Sequence, residues 1–230
     1  MIPKIIHYCW FGKNPKPKGV IKCIESWKKF CPDYEIMEWN ETNFDVNARQ
    51  YTREAYQAQK WAFVSDVARL QALVSHGGIY LDTDFELIDN LDKFLHLDSF
   101  TGFEDSKWVA TGVVGCHAED PIITEFLNLY DSISFLNADG SYNLTTVVER
   151  YTNVLLCHGL VQDGKEQIVD GCKIYPYQVF YPYDYIDGRM HMSCDTVAIH
   201  WYSVSWIEGA NFWKKVTQLY HRLKGIHRDI

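Results

Sequence analysis

The sequence predicts an α/β fold in which helices flank a largely parallel sheet. The first third of the chain alternates between short apolar, β-rich runs and longer segments with apolar residues at helical spacing. This order is typical of a parallel sheet whose strands are joined by crossover helices. The chain has 230 residues, which is enough for one domain with a substantial core. We therefore expect a single domain over residues 1–230.

The first elements are a strand, a helix and a second strand. The run "IPKIIHYCW" is apolar and β-rich, and "FGKNPKPKG" interrupts it as a loop. The segment "VIKCIESWKKF" then repeats apolar residues at helical spacing, and "YEIMEW" follows as a second strand. This series predicts the start of a parallel sheet.

A helical pattern over residues 51–76 leads into a third strand. It ends at Gly77 and Gly78, as helices commonly do. Its apolar stripe consists of Phe63, Val67, Leu70 and Val74. The run "IYL" then predicts a short buried strand with "DTD" at its carboxyl end, and "FELI" is expected to continue as a strand beyond it.

The rest of the chain adds shorter elements. The predicted strands are 99–103 and 108–116, and the predicted helices are 121–136, opened by Asp120 and Pro121, and 143–157. The stretch 167–203 is β-rich but irregular, and "IYPYQVFYPYDY" is too broken by proline for a central strand. A final helix is expected over about 210–226.

Composition excludes several classes of protein. A net charge of −8 argues against a broad nucleic-acid footprint. The seven cysteines are scattered without a CxxC pair, which favours reduced buried thiols over zinc sites or disulfides. No run approaches the roughly 18–20 apolar residues of a membrane span, and the N-terminus resembles an opening strand rather than a signal peptide. We expect a cytoplasmic protein.

The stretch "HGGIYLDTDFEL", residues 76–87, holds the strongest candidate site. Ligands of open α/β sheets bind beyond the carboxyl ends of the strands, where Asp82 and Asp84 are expected to lie. Alternate residues of an extended segment point the same way, so both carboxylates can converge on one ligand. Two hard oxygen donors suit Mg²⁺ or Mn²⁺ held together with substrate phosphates. An isolated D-x-D is, however, more often a solvated turn.

Asp66 and Arg69 precede this stretch at i and i+3 of the long helix, off its apolar stripe and on one shared face. One interpretation is a surface salt bridge, which contributes little to stability. The other is a charged pair aimed into the same cleft, with Arg69 facing phosphate or sugar oxygens. The sequence leaves both open.

The run "SDVARLQALVSHGGIYLDTDFEL" resembles the signature of the DXD-containing sugar transferases of glycosyltransferase family 32, which include bacterial capsular and lipopolysaccharide enzymes. The same order, D-x-x-R followed by Y-x-D-x-D, occurs in the catalytic domain of the large clostridial glucosylating toxins. The resemblance implies a GT-A fold, a Rossmann-like α/β domain with a mixed, mostly parallel central sheet. Its nucleotide-binding half would cover about 1–90 and its acceptor-side half about 91–209.

The resemblance also implies roles for the residues of the signature. Asp84 would ligate a divalent ion, Mn²⁺ or Mg²⁺, and Asp82 would hold ribose and sugar hydroxyls and add a metal contact. Asp66 would hydrogen-bond sugar hydroxyls, while Arg69 would face the sugar and the β-phosphate. Tyr80 would pack nearby as a secondary contact.

Two further segments are similar to the family. In "IPKIIHYCWFG", Trp10 matches the aromatic residue that stacks on uracil, and Asn40 after the second strand has a weaker claim to line the nucleotide site. In "AIHWYSVSW", the resemblance implies His200 as a further metal ligand and places Ser205 and Trp206 on the diphosphate. Packing in the core is the alternative interpretation for both Trp10 and His200.

The resemblance as a whole implies a metal-dependent, retaining glycosyltransferase. It would move a hexose or N-acetylhexosamine from a UDP-sugar to a glycan or lipid-linked glycan acceptor in surface polysaccharide synthesis. A toxin-type transferase acting on protein and a non-catalytic, lectin-like sugar-binding module are the alternatives. A haloacid dehalogenase-type phosphohydrolase fits poorly, because its D-x-D ends the first strand and this chain has no later "GDxxxD".

The C-terminal segment "NFWKKVTQLYHRLKGIHRDI" combines a basic face with an apolar one. Packing of the apolar face on the domain is one interpretation. The other is a weak contact with the inner surface of a membrane, which would suit a lipid-linked acceptor.

Overall fold

The computed structural model describes residues 1–202. Within this range the strands are β1 (Ile5–Cys9), β2 (Glu35–Trp39), β3 (Gly78–Leu81), β4 (Phe85–Leu87), β5 (Ser99–Phe103), β6 (Val109–Cys116), β7 (Gln167–Val169), β8 (Cys172–Tyr175) and β9 (Ala198–His200). The α-helices are α1 (Lys18–Phe30), α2 (Gln50–Gln57), α3 (Trp61–His76), α4 (Pro121–Leu129) and α5 (Val147–Cys157). Short 3₁₀ turns span Asp92–Phe94 and Tyr177–Val179.

Seven strands form one sheet in the order β2-β1-β3-β6-β5-β8-β7. Strands β1, β2, β3, β5 and β8 run in one direction, and β6 and β7 run against them. The sheet is therefore mixed and mostly parallel, as the sequence predicts. Strands β4 and β9 pair antiparallel in a separate two-stranded sheet, with Phe85 opposite His200.

Both faces of the large sheet are buried. Along β3, Ile79 and Leu81 belong to one apolar cluster, and Tyr80 belongs to the other. Successive side chains of a strand point to opposite faces, so the two clusters lie on opposite sides of the sheet. Helix α3 packs against β1 and β3 on the Tyr80 side, which brings its polar residues close to the end of β3.

The helical pattern over 51–76 is two helices rather than one. Helix α2 ends at Gln57, and Gln59 adopts a left-handed conformation with φ 57° before α3 begins at Trp61. The Lys60 N–H donates to the Ala55 carbonyl at 2.9 Å, a bond that closes a helix C-terminus. The expectation of one continuous helix is therefore wrong. The sequence hides the helix end because the left-handed position, which usually carries glycine, carries Gln59.

Two other helices are shorter than expected. Asp120 caps α4 by accepting from the Ile123 N–H at 3.0 Å, as its position before Pro121 predicts, but α4 stops at Leu129 instead of 136. Helix α5 starts at Val147 rather than 143, because Thr146 is extended and accepts from the Glu149 N–H at 3.2 Å. This T-x-x-E arrangement is a readable capping signal.

The proline-rich run that begins at Ile174 contains part of an internal strand. Strand β8 lies between β5 and β7, so the expectation of no central strand is wrong for Ile174 and Tyr175. Pro176 then ends the strand, because proline has no N–H to donate to the ladder.

Other expectations concern cysteines, membranes and the chain end. All seven cysteines are free thiols, and five of them are buried as expected, but Cys157 and Cys194 are exposed. In the part of the chain that the structure describes, no helix is long and apolar enough to cross a membrane. The predicted C-terminal helix over 210–226, Ser205 and Trp206 lie outside the described residues. The division into halves at about residue 90 stays a prediction.

Candidate functional site

A cleft of about 500 Å³ opens at the carboxyl ends of β1 and β3. It is bounded by the loop after β1, the start of α3, the turn after β3, the start of α5 and the end of β9. Its polar and aromatic lining includes Trp10, Trp61, Asp66, Arg69, Tyr80, Asp82, Asp84, His200 and Tyr202. The position matches the ligand-binding edge of an open α/β sheet.

The turn between β3 and β4 fixes the two aspartates of the D-x-D motif. The Asp82 N–H donates to the Gly112 carbonyl at 2.8 Å, and the Phe85 N–H donates to the Asp82 carbonyl at 3.0 Å. The Tyr80 hydroxyl donates to Asp82 Oδ1 at 2.9 Å. These bonds hold Asp82 and Asp84 at the mouth of the cleft, so the motif is more than a solvated turn.

His200 reaches the same point from β9, far along the chain. Its ring stacks on Phe85 with centroids 4.7 Å apart, and its Nε2 lies 3.0 Å from Asp84 Oδ1. Burial alone would lower the pKa of His200. The charge and hydrogen bond of Asp84, together with the charges of Asp82 and Glu104, outweigh burial and raise this pKa above its usual value. Within residues 1–202, His200 Nδ1 has no hydrogen-bond partner.

The three side chains form a cluster that fits a divalent ion. One ligand atom each from Asp82, Asp84 and His200 lies within 4.8 Å of the others. Carboxylate oxygens suit Mg²⁺ and Mn²⁺, and a neutral imidazole is also a ligand for Mn²⁺-like transition metals. The three side chains therefore suit the expected divalent ion. Packing of the His200 ring in the core is compatible with metal binding.

Asp66 and Arg69 are buried in the wall of the cleft, with 6% and 5% of their surfaces exposed. Arg69 Nη2 donates to Asp66 Oδ1 at 3.0 Å, and Arg69 Nη1 lies 3.2 Å from Asp82 Oδ1. The Arg69 guanidinium also lies over the Tyr80 ring, 4.6 Å from its centroid. The surface salt-bridge interpretation is wrong, because packing of α3 on the sheet encloses the pair.

The Arg69 guanidinium thus contacts two carboxylates, those of Asp66 and Asp82. Burial raises the pKa of Asp66 to about 7; the positive charge of Arg69 opposes this shift, and the negative charge of Asp82 adds to it. Asp66 is consequently poised between its protonated and ionised forms near neutral pH. A carboxyl group in that state is able either to donate or to accept a hydrogen bond.

The two residues expected on the nucleotide side have different positions. Trp10 is partly exposed, lines the cleft, and donates from Nε1 to the Asn14 carbonyl at 2.7 Å. Asn40 is not one of the described residues that line the cleft. Its side chain donates to Glu38 Oε1 at 3.1 Å and accepts from the Thr42 hydroxyl at 2.7 Å.

Strand β6 supplies site residues that the sequence reasoning missed. Arg69 Nη1 donates to the Thr111 carbonyl at 3.0 Å. A Cβ at Gly112 would lie 2.7 Å from the Phe85 ring and 3.1 Å from Asp82 Oδ2. A glycine inside a β-rich run often marks a close approach of this kind, and that was the available signal.

Comparison with known proteins identifies the family. Residues 17–101 match the family described as a glycosyltransferase sugar-binding region containing a DXD motif. The chain belongs to the DXD-containing glycosyltransferases. The expected family is thereby confirmed, and the matched range includes Asp66, Arg69, Asp82 and Asp84.

Curated relatives of this glycosyltransferase chain point the same way. It is 27% identical over 142 residues to inositol phosphoceramide mannosyltransferase 3 of Schizosaccharomyces pombe, covering 58% of this chain and 38% of the relative. It is 30% identical over 171 residues to an uncharacterized glycosyltransferase of Acanthamoeba polyphaga mimivirus, covering 66% of each chain. The chain therefore spans just over a third of the yeast relative's length and about two thirds of the viral one's.

A solved structure shows the fold. The structure titled PaToxG Glycosyltransferase superimposes with a TM-score of 0.52 at 20% sequence identity, covering 68% of this chain and 69% of that one. Together with the mixed seven-stranded sheet, this likeness confirms the expected GT-A fold.

Proposed function

We propose that this glycosyltransferase moves a hexose or N-acetylhexosamine from a UDP-sugar to a glycan or lipid-linked glycan, in surface polysaccharide synthesis. The observation that carries the proposal is the cluster of Asp82, Asp84 and His200 in a cleft that Trp10 also lines. A flat ring and a cation site in one cleft suit the base and the diphosphate of a nucleotide sugar.

Asp84, Asp82 and His200 would hold a divalent ion, Mn²⁺ or Mg²⁺. Such an ion neutralises charge on the departing diphosphate as the sugar leaves. Ser205 and Trp206, outside the described residues, are proposed to contact the same diphosphate. Asn40 is proposed only as an outer contribution to the nucleotide side, because its side chain is already hydrogen-bonded to Glu38 and Thr42.

The buried residues of α3 would orient the sugar. Asp66 lines the cleft, and its raised pKa lets it exchange hydrogen bonds with sugar hydroxyls in either protonation state. Arg69 holds Asp66 and Asp82 at a defined separation and presents its positive charge to the donor. Tyr80 supports the arrangement by donating to Asp82.

We also propose that the anomeric configuration of the donor is retained. The family resemblance supports this outcome. Proton NMR of the first product formed from an α-linked donor checks it. An α-linked product is expected, and an initial β-linked product would refute retention.

The sugar and the acceptor are open to direct screening. Galactose, glucose and N-acetylglucosamine are the first donors to test, and the name of the yeast relative adds mannose and a lipid-linked acceptor. Transfer to a protein acceptor alone would favour the toxin-type alternative. Sugar binding without transfer or nucleotide binding would favour the lectin-like alternative.

We propose a cytoplasmic location with weak attachment to the membrane surface. Residues 211–230 carry five Lys or Arg residues against one acidic residue, which supports attraction to anionic lipid. Sedimentation with anionic liposomes should pull down the full chain, whereas a chain truncated after Gly209 should stay in solution. Failure of the full chain to sediment would refute the attachment.

Thermal unfolding with UDP, with Mn²⁺, with both, and with both plus chelator tests the core of the proposal. A ligand at about a hundred times its dissociation constant adds roughly 2.7 kcal/mol, which is a rise of roughly 5–10 °C for a chain of this size. The rise should need both ligands and disappear in Asp84→Asn, while the exposed Asp89→Asn should keep it. A rise in the unfolding temperature with another nucleotide instead of UDP would indicate a donor that carries that nucleotide. No rise with any nucleotide would refute the proposed transferase function.

A further inference from the structure

A second group of metal-ligand side chains lies outside the cleft. It sits in the segment between the 3₁₀ turn Tyr177–Val179 and β9 and consists of Asp184, Asp187 and His191. One ligand atom from each lies within 4.8 Å of the others. The group is independent of the D-x-D motif and of the proposed transfer reaction.

Polar atoms of Asp184 and His191 are buried without a hydrogen-bond partner among the described residues. Asp184 and Asp187 are 3% and 1% exposed. Asp184 Oδ2 and His191 Nε2 are both enclosed and make no hydrogen bond to any described residue. A buried carboxylate oxygen without a partner is costly, so a cation at this point would offset the cost.

The backbone turns tightly to bring the group together. The Gly188 N–H donates to the Asp184 carbonyl at 2.7 Å, and the Asp184 N–H donates to the Arg189 carbonyl at 2.8 Å. Asp184 Oδ1 accepts from the Ile186 N–H at 2.8 Å, which leaves its other oxygen for a further contact. Gly188 has φ 72°, the left-handed conformation that glycine adopts without strain.

Arg189 places one positive charge beside the group. Arg189 Nε lies 3.4 Å from Asp187 Oδ2, and the Arg189 side chain is 56% exposed. A divalent ion would add positive charge beside the unpartnered Asp184 oxygen, with a neutral His191 ring as a further ligand.

We propose that Asp184, Asp187 and His191 bind a divalent transition-metal ion, Zn²⁺ first, which fixes this segment. Zinc accepts mixed carboxylate and imidazole ligands at about 2.0–2.2 Å, so bound ligand atoms lie about 3.4 Å apart in a tetrahedral site. The ligand atoms lie within 4.8 Å of one another, so small side-chain rotations would be needed to bring them to that spacing. Three protein ligands leave one position for water.

The bound ion would also steady the wall of the main cleft. Tyr185, between the two aspartates, packs on Tyr202 with ring centroids 4.6 Å apart. Tyr202 lines the cleft, and its ring centroid lies 4.0 Å from that of His200. Fixing the segment therefore positions an aromatic wall beside the proposed donor site.

Zn²⁺ binding to the full chain carrying Asp84→Asn tests the site without interference from the cleft cluster. Competition with a chromophoric chelator should reveal about one bound Zn²⁺ per chain. Adding His191→Gln should weaken its affinity on the order of tenfold or more, whereas adding His96→Gln, at an exposed histidine, should not change it. Equal affinity in the His191→Gln chain, or no Zn²⁺ bound by the Asp84→Asn chain, would overturn the proposal.

Hydrogen exchange gives a second measurement that needs no change to the proposed ligands. In the Asp84→Asn chain, Zn²⁺ should slow amide exchange in a peptide covering 181–192 and leave a peptide covering α4 unchanged. Unaltered exchange over 181–192 at saturating Zn²⁺ would overturn the proposal even if Zn²⁺ binds elsewhere.

Discussion

Arg69 and Asp82 are held 3.2 Å apart, from Nη1 to Oδ1, and this contact ties helix α3 to the D-x-D turn. The same guanidinium donates to Asp66 on its own helix and to the Thr111 carbonyl on β6. One side chain thus joins three elements around the first aspartate of the motif. Arg69 is a positioning residue as well as a positive charge in the cleft.

Replacing Arg69 by Met should destabilise the protein strongly. The change would leave Asp66 buried without its cation and Asp82 without its anchor, and breaking a buried pair in this way costs about 3–5 kcal/mol. Urea unfolding at neutral pH measures the loss. Arg49→Met is the matched control, because Arg49 pairs at 2.7 Å with the exposed Asp131, and it should cost about 1 kcal/mol or less. Equal losses in both variants would contradict the bridging role.

Gly112→Ala should disturb the metal cluster through Asp82. The new methyl group would meet the Phe85 ring at 2.7 Å and Asp82 Oδ2 at 3.1 Å, so one of them must move. Overpacking of this kind costs about 1–3 kcal/mol, and Mn²⁺ affinity should fall on the order of tenfold.

Gly19→Ala provides the comparison, since a Cβ there meets nothing within 4 Å. It should leave both the unfolding midpoint and Mn²⁺ affinity, measured by titration calorimetry, unchanged or slightly improved. A Gly112→Ala protein with wild-type Mn²⁺ affinity would show that Asp82 does not depend on this close contact.

Trp10→Ala should weaken UDP binding. Trp10 lines the cleft and its indole is anchored on the Asn14 carbonyl, which gives a fixed platform for a base. Stacking of one base on an aromatic ring is worth about 1–3 kcal/mol, so UDP affinity should fall at least about fivefold in the presence of Mn²⁺. Trp10→Phe should retain most of it, and Trp108→Ala, at a tryptophan outside the cleft lining, should have no effect. Unchanged affinity in Trp10→Ala would place the base elsewhere.

His7 should make the protein sensitive to acid. Burial lowers the pKa of His7 from 6.5 to about 4, although its hydrogen bond to the Gly77 carbonyl at 2.8 Å opposes the shift. The unfolded chain therefore takes up this proton at a higher pH than the folded one. The contribution of His7 to stability is complete above about pH 6.5 and is lost as the pH falls towards 4, by about 3 kcal/mol.

Urea unfolding at pH 7 and pH 4.5 checks this pH dependence. His7→Gln keeps one donor for Gly77 and one acceptor for the Trp39 N–H, which bonds His7 Nδ1 at 3.1 Å, so its stability should fall less between the two pH values. The His96→Gln protein should lose as much stability between the two pH values as the wild type. The same loss in all three proteins would assign the acid sensitivity to other groups.

Local patterns predicted much of the fold. The alternation of strands and helices, the glycine pair before β3 and the aspartates after it were readable because each depends on residues close in sequence. The break at Gln59 was not readable from the sequence. A left-handed residue usually shows itself as a glycine, whereas here it is a glutamine, and the hydrogen bonds that close the helix end stabilise it.

The sequence by itself determined the motif, its place at the end of a buried strand and the kind of ligand that its carboxylates suit. The tertiary structure decided that Asp66 and Arg69 are buried and not a surface pair, and that Thr111 and Gly112 shape the site. It also brought His200 to within 3.0 Å of Asp84 from 116 positions away. Such contacts depend on how helices pack on the sheet and how β4 pairs with β9, which no local spacing of residues records.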